Sequence, residues 1–230
     1  MELPSNLPQK NNIVAWWRMD ETSGNRADSS GNSNTLTDVN TVGYTAGKIG
    51  NCASFASASS EYFTMGSAPT TGTGDFSICA WVKTNSSGVR RGIVSWGTSG
   101  PTDPYKGIFF YIGTDNKLHA DVTGVAGPTS TNTINSDNWV HVALVHTDSG
   151  DTGQLYINGS TNGSSATMQP NIVSGTVNRV GISYNAAATW EGEIDELIIW
   201  NSALTSAEVD NVYDITAYRY ASGGVLKWVF

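Results

Sequence analysis

Residues 139–159 read WVHVALVHTDSGDTGQLYING. Val140, Val142 and Leu144 alternate with His141, Ala143 and Val145, the period of two expected of a strand with one face in a core. Ser149-Gly150-Asp151 supplies turn residues, and the run GQLYI leads back from it. That run closes on Asn158-Gly159, a pair that accepts the positive φ a tight hairpin demands at both central positions. The stretch therefore predicts two antiparallel strands bounded by turns.

The same pattern recurs on both sides. Apolar or alternating runs occupy 13–19, 75–83, 91–97, 105–112, 117–122, 178–183 and 193–200, with turn signals such as Thr114-Asp115-Asn116 between them. Only TSAEVDNVY (205–213) reads as a helix. Thr205 and Glu208 fit a capping box, and Leu204, Val209, Val212 and Tyr213 supply an apolar side. Many short strands and one helix predict an all-β fold: a two-sheet antiparallel β-sandwich, or jelly roll, with one short C-terminal helix. Residues 13–213 would form it, with 1–12 as an N-terminal extension and 214–230 as a C-terminal extension strand.

Composition narrows the function. Hydrophobic residues make up 39% of the 230 and charged residues only 14%, so a core is available and disorder is disfavoured. Net charge is −8 with only 12 Lys and Arg, too few to clamp a phosphate backbone, which argues against nucleic acid as a partner. No apolar run nears the roughly 20 residues that cross a bilayer, so no membrane insertion is expected. Cys52 and Cys79 form no CxxC pair; they read as two buried thiols or as one disulfide. The opening MELPSNLPQKNN lacks the basic and apolar regions of a signal peptide.

Five blocks, in order, resemble the laminin-G-like branch of the concanavalin-A-like lectin/glucanase superfamily, of bacterial or phage type. They are VAWWRMDETSGNRADSSGN (14–32), YTAGKIGNCASF (44–55), DFSICAWVK (75–83), the hairpin 139–159 and WEGEIDELIIWNSALTSAEVDNVY (190–213). The resemblance implies the same jelly roll, an extracellular or virion or cell-surface location, and glycan binding.

Three kinds of site come into question. Asp28, Ser30 and Asn32 lie in an oxygen-rich Asp-Ser-Ser-Gly-Asn turn, and calcium takes six to eight oxygens. The resemblance adds one acid of the Asp195-Glu196 pair; strict strand alternation lets only one of them face the site, and Asp195 is the expected ligand of a structural calcium. For sugar binding, aromatics in polar loops offer stacking faces: Trp96, Tyr105, Tyr184 and Trp190, with Asp103 and Asn185 as hydrogen-bonding companions. Trp16 or Trp17, Phe55, Phe76, Trp81, Trp139 and Trp200 read instead as core. For catalysis, Glu191, Glu193 and Asp195 share one strand face, yet glycosidases need two carboxylates set across a cleft, and the central strands carry no such pair. His119, His141 and His146 are scattered and read as structural.

The expectation is a non-catalytic carbohydrate-binding domain, calcium-stabilised, with a polysaccharide or cell-surface glycan as partner. The alternative is a virion or cell-surface decoration or adhesion subunit, a homo-oligomer assembled through the strand at Val225–Phe230, whose Leu226, Trp228 and Phe230 share an apolar face. A glycoside hydrolase or polysaccharide lyase is the third reading.

Overall fold

The computed structural model describes residues 6–98, 106–175, 177–183 and 188–217. Two antiparallel sheets pack face to face. The first has nine strands: β13 (Ser160–Thr161), β12 (Thr152–Ile157), β11 (Val140–Thr147), β6 (Phe76–Lys83), β16 (Gly192–Trp200), β4 (Asn51–Phe55) and β3 (Gly43–Ala46) in that order, with β1 (Ile13–Trp17) beside β16 and β14 (Ala166–Thr167) beside β12. The second has seven: β10 (Val125–Thr133), β9 (Lys117–Val122), β8 (Gly107–Ile112), β7 (Arg91–Gly97), β15 (Arg179–Val180), β5 (Tyr62–Met65) and β2 (Leu36–Val39). The β11–β12 hairpin pairs Val142 with Ile157 and Thr147 with Thr152. At its far end Asn158 and Gly159 both take positive φ, as the turn into β13 requires.

The main core lies between the sheets. Ile78, Ala80 and Val82 of β6 face Ile108, Phe110 and Ile112 of β8 and Leu118, Ala120 and Val122 of β9 across it. A second apolar cluster covers the outer face of the nine-stranded sheet, where Cys79, Ala143, Ile198 and Trp200 meet Leu204, Val209 and Val212 of helix α1 (Ser206–Ala217). The capping box forms: Glu208 N–H donates to Thr205 Oγ1 (3.3 Å) and Thr205 N–H to Glu208 Oε2 (2.8 Å). The helix runs on to Ala217, past its expected end at Tyr213, because Thr216 is buried and its Oγ1 accepts the indole N–H of Trp81 (2.8 Å). Residues 7–12 pack too: Leu7 joins the second cluster, and Trp200 Nε1 donates to the Pro8 carbonyl (3.1 Å).

Of the expected core aromatics, Trp16, Trp17, Phe55, Phe76, Trp81 and Trp200 are buried, whereas Trp139 is only half-buried ahead of β11. Cys52 and Cys79 are both free, buried thiols, and burial pushes the Cys52 thiol up to about 12. The expected strand at Val225–Phe230 lies outside the described residues, and among the described residues no helix is long and apolar enough to cross a membrane.

The nine-stranded sheet carries one marked irregularity. β4 pairs with β16 at Gly192–Ile194, and β1 takes over at Leu197–Trp200 along the same edge. Between them Asp195 and Glu196 form a bulge against β6, with Glu196 at φ 48°. A bulge inserts an extra residue and breaks alternation, so both acids fall between the core-facing Ile194 and Leu197. The strict alternation on which the choice of Asp195 over Glu196 rests does not hold at this bulge.

Candidate functional site

The seam opened by that bulge is the first candidate. Asp195 is fully buried; its Oδ2 accepts the Ile49 N–H (2.9 Å), while its Oδ1 has no hydrogen-bond partner. Burial, with Glu196 and Asp20 adding repulsion, pushes its carboxyl up to about 8. Glu196 accepts the Trp16 indole N–H (2.5 Å) and lies 3.9 Å from Arg18. Across the seam Asp20 accepts the Asn51 N–H (3.1 Å). The Gly47–Asn51 loop is clamped between the two aspartates. A Cβ at Gly47 would sit 2.6 Å from both Asp195 Oδ2 and the Asn51 carbonyl oxygen, and one at Gly50 would strike Asp20 Oδ1.

The Asp28 turn is held by hydrogen bonds of its own. Asp28 Oδ1 accepts the N–H groups of Trp16 (3.0 Å) and Ser30 (2.9 Å), and Oδ2 that of Asn34 (2.9 Å). Ser30 Oγ accepts the Asn32 N–H (3.2 Å), and Asn32 Nδ2 donates to the Ile13 carbonyl (2.9 Å). These residues tie the turn to β1, a local capping role, whereas Asp195 holds the 47–51 loop. Among the described residues no three His, Cys, Asp or Glu side chains gather as a metal cluster.

The expected sugar platforms are corrected in part. Trp96 and Trp190 are 1% and 0% exposed and belong to the main core, so neither offers a ring face to a ligand. Trp96 alternates inward with Val94 on β7, and Trp190 N–H donates to the Gly181 carbonyl (2.7 Å), which draws its loop over the core. Asp103, Tyr105, Tyr184 and Asn185 lie outside the described residues.

The second candidate is the outer face of the seven-stranded sheet, which sequence reasoning misses. Phe109 and Tyr111 alternate outward from β8, and His119 and Asp121 from β9. The rings stack in a row, Phe109 to Tyr111 at 4.1 Å and Tyr111 to His119 at 5.1 Å between centroids. The Arg90 guanidinium lies over Tyr111 at 4.6 Å. Tyr111 Oη donates to Asp121 Oδ2 (2.7 Å), and burial together with that carboxylate drives the phenol above its usual range. His119 bridges Asp115 through Nε2 (2.9 Å) and Thr129 through Nδ1 (3.0 Å). Phe109 and Tyr111 are only 2% and 3% exposed; they form a floor, and the polar groups above it form the accessible surface. The parity of KGIFFYI against KLHADV holds this signal.

The carboxylates considered for catalysis are each engaged. Glu191 Oε2 accepts both the N–H (2.8 Å) and the hydroxyl (2.5 Å) of Ser57, Glu193 lies 3.9 Å from Lys83 Nζ, and Asp195 holds Ile49. His141 and His146 are buried, His141 between Trp81 and Tyr213 and His146 stacked on Phe76.

Two facing antiparallel sheets with a helix over one outer face define a jelly-roll β-sandwich domain. The chain belongs to the concanavalin A-like lectin/glucanases superfamily, whose laminin-G-type model matches residues 57–210. Among solved structures it is similar to the binding domain of Paraclostridial Mosquitocidal Protein 1, at 17% identity and TM-score 0.67, over 90% of this chain and 52% of that one. It is also similar to domain 4 of AbnA, an extracellular arabinanase of Geobacillus stearothermophilus solved with arabinotriose, at 21% identity and TM-score 0.66, over 88% of this chain and 98% of that one. Trypanosoma rangeli sialidase matches at 14% identity and TM-score 0.62, over 94% of this chain. The chain thus spans about half of the mosquitocidal binding domain and 36% of the sialidase. No curated protein matches the sequence.

Proposed function

We propose that this domain is a non-catalytic glycan-binding module, stabilised by calcium and working outside the cell or on a surface. The observation that carries the reading is the outer face of the seven-stranded sheet. There the Arg90 guanidinium rests over the Tyr111 ring. Asp115, His119, Asp121 and Thr129 lie beside it on the same face. A guanidinium offers a planar fork of donors and carboxylates offer paired acceptors, a combination suited to the adjacent hydroxyls of a sugar. The fit along nearly the whole length of an arabinanase domain solved with arabinotriose supports the same reading. Glu193 and Asp195 lie along one strand, with Glu191 just ahead of it, and not as a pair across a cleft, which supports binding without hydrolysis.

A calcium ion fits the seam. It would draw on Asp195 and Asp20 with carbonyl oxygens of the 47–51 loop, an oxygen set that calcium accepts. The partnerless Asp195 Oδ1, buried next to a loop with no room for a Cβ at Gly47, supports it. The ion would neutralise the buried carboxylate and lock the loop to β16; it would take no part in a reaction.

A glycan array, run with calcium and with chelator, tests the reading. Binding to at least one glycan class, lost in Arg90→Ala while the melting temperature holds, is the expected result. Release of products from a bound polysaccharide, or binding unaffected by Arg90→Ala, would overturn it.

A further inference from the structure

The Asp28 turn and the start of β1 border an open cleft of about 310 Å³, at the lower bound of small-ligand sites, which run from about 300 to 1,000 Å³. Its polar lining is Asn11, Asn12, Asn32, Asn34, Asn201 and Ser67, and among the described residues no charged side chain contributes to it. Two of the amides are fixed. Asn32 Nδ2 donates to the Ile13 and Val14 carbonyls (2.9 and 3.3 Å), and Asn34 Nδ2 donates to Val14 (2.7 Å). These side chains satisfy main-chain acceptors of β1, which has β16 as its strand neighbour on the opposite edge. With both nitrogens committed, each Oδ1 remains as a held acceptor. Asn11 and Asn201 are exposed and keep donor and acceptor available, and the half-buried Val14, Ala68 and Pro69 add a narrow apolar edge.

We infer that this amide-lined cleft is a second binding site, taking a single neutral sugar unit. The inference rests on the glycan-binding reading above but uses a different surface. Amides and hydroxyls pair with hydroxyl groups without the desolvation cost of a charge, and the apolar edge suits the C–H groups of a sugar. A cationic ligand would find no carboxylate in the lining, and an anionic one would meet an uncharged cleft on a protein of net charge −8. The volume suits one sugar unit. Among the sequence candidates Asn32 does belong to a polar site on this account, with its amide as an acceptor for a hydroxyl and not for a metal ion.

The test is nitrogen-15 NMR of the full chain titrated with arabinotriose, maltotriose and chitotriose to about 10 mM, enough to detect millimolar affinity. The side-chain amide signals of Asn32 and Asn34 report directly on the cleft. At least one trisaccharide is expected to shift them. Ser67→Trp, at an exposed loop position, should fill the cleft and abolish the shifts, and Arg90→Ala should leave them unchanged. If Ser67→Trp does not fold, the exposed pair Asn11→Ala with Asn201→Ala serves, with an expected loss of about tenfold in affinity. Shifts confined to the Arg90 face would overturn the second site and leave the glycan reading standing. Cleft shifts that survive both variants would overturn it as well. No shift anywhere, together with an array that is blank, would remove both.

Discussion

Replacing Asp195 with Asn separates the calcium reading from a purely structural one. In the ion-free protein the Asp195 carboxyl stands at about 8, against an ordinary value of 3.8. A carboxyl raised by folding favours the protonated native state, so its contribution is most favourable below about pH 4 and is lost as pH rises towards 8. At pH 7 the ion-free native state carries a penalty of up to about 4 kcal/mol, at 1.36 kcal/mol per pH unit. The substituted amide would keep the acceptor for the Ile49 N–H but leave its own N–H₂ without a partner, which costs about 1–3 kcal/mol. In chelator at pH 7, Asp195→Asn is therefore expected to be more stable than wild type by about 1–3 kcal/mol, a rise in melting temperature of roughly 3–10 °C for a domain of this size. Near pH 4 the order should invert, because the wild-type penalty is gone and the variant's unpartnered amide still costs about 1–3 kcal/mol. Saturating calcium closes or reverses the gap, because a ligand at 100 times its dissociation constant stabilises by about 2.7 kcal/mol, and the variant lacks the charge that holds it. Scanning calorimetry of both proteins at pH 4 and 7, with calcium and with chelator, reads all of this. A wild type that is indifferent to calcium and already more stable than the variant in chelator would refute the reasoning.

Three further outcomes are expected. His141 is buried with its Nδ1 unpartnered, and burial pulls its imidazole down to about 3; stability is held above pH 6.5 and falls below it by about 1.4 kcal/mol per unit, so His141→Phe should flatten that slope in denaturant titrations at pH 5 and 7. Gly192 opens β16 at φ 112°, where a Cβ would strike the Lys83 carbonyl oxygen; Gly192→Ala should cost about 3 kcal/mol or more, against no measurable change for Gly66→Ala, which has open space around it. Thr205→Ala removes the helix cap seen at Glu208 and should cost about 1 kcal/mol by chemical denaturation.

The fold is legible because its strongest signals are local. The alternation of 140–147 and the Asn158-Gly159 turn specify a hairpin without reference to anything distant, and the helix start is written in Thr205 and Glu208. Weaker strands are illegible for the same reason. β3 is exposed along most of its length, and β2 has one fully buried residue, Leu36. Neither segment carries an apolar face of its own; each exists because β4 or β5 offers it an edge. The exposure expected of Trp96 and Trp190 is not found, because a polar sequence neighbourhood says nothing about which way a loop folds. Trp96 lies on the core-facing side of β7, the Trp190 N–H is tied to the Gly181 carbonyl, and both indoles end in the main core.

The seam at Asp195 shows what sequence spacing cannot carry. Period-two reasoning sorts Glu193 and Asp195 onto one face and Glu196 onto the other, and it holds only while β16 has a continuous partner. Here β4 leaves the edge at Ile194 and β1 arrives at Leu197, and the residues between have no neighbouring strand there to satisfy their polar groups. The bulge places two acids in that gap. One answers the Trp16 indole, and the other takes the amide of a loop drawn in from residues 47–51. The change of strands thus creates the need, and the acids with their loop meet it only in part, since Asp195 Oδ1 is left without a partner. Asp195 is legible in the sequence, but Asp20 and the Gly47–Asn51 loop are not, because they reach it through two strand pairings far apart in the chain. A cation at that point would complete the pairing that the strand change interrupts, and that is why the expected effect of calcium is on the stability of the sandwich and not on the Arg90 surface of the opposite sheet.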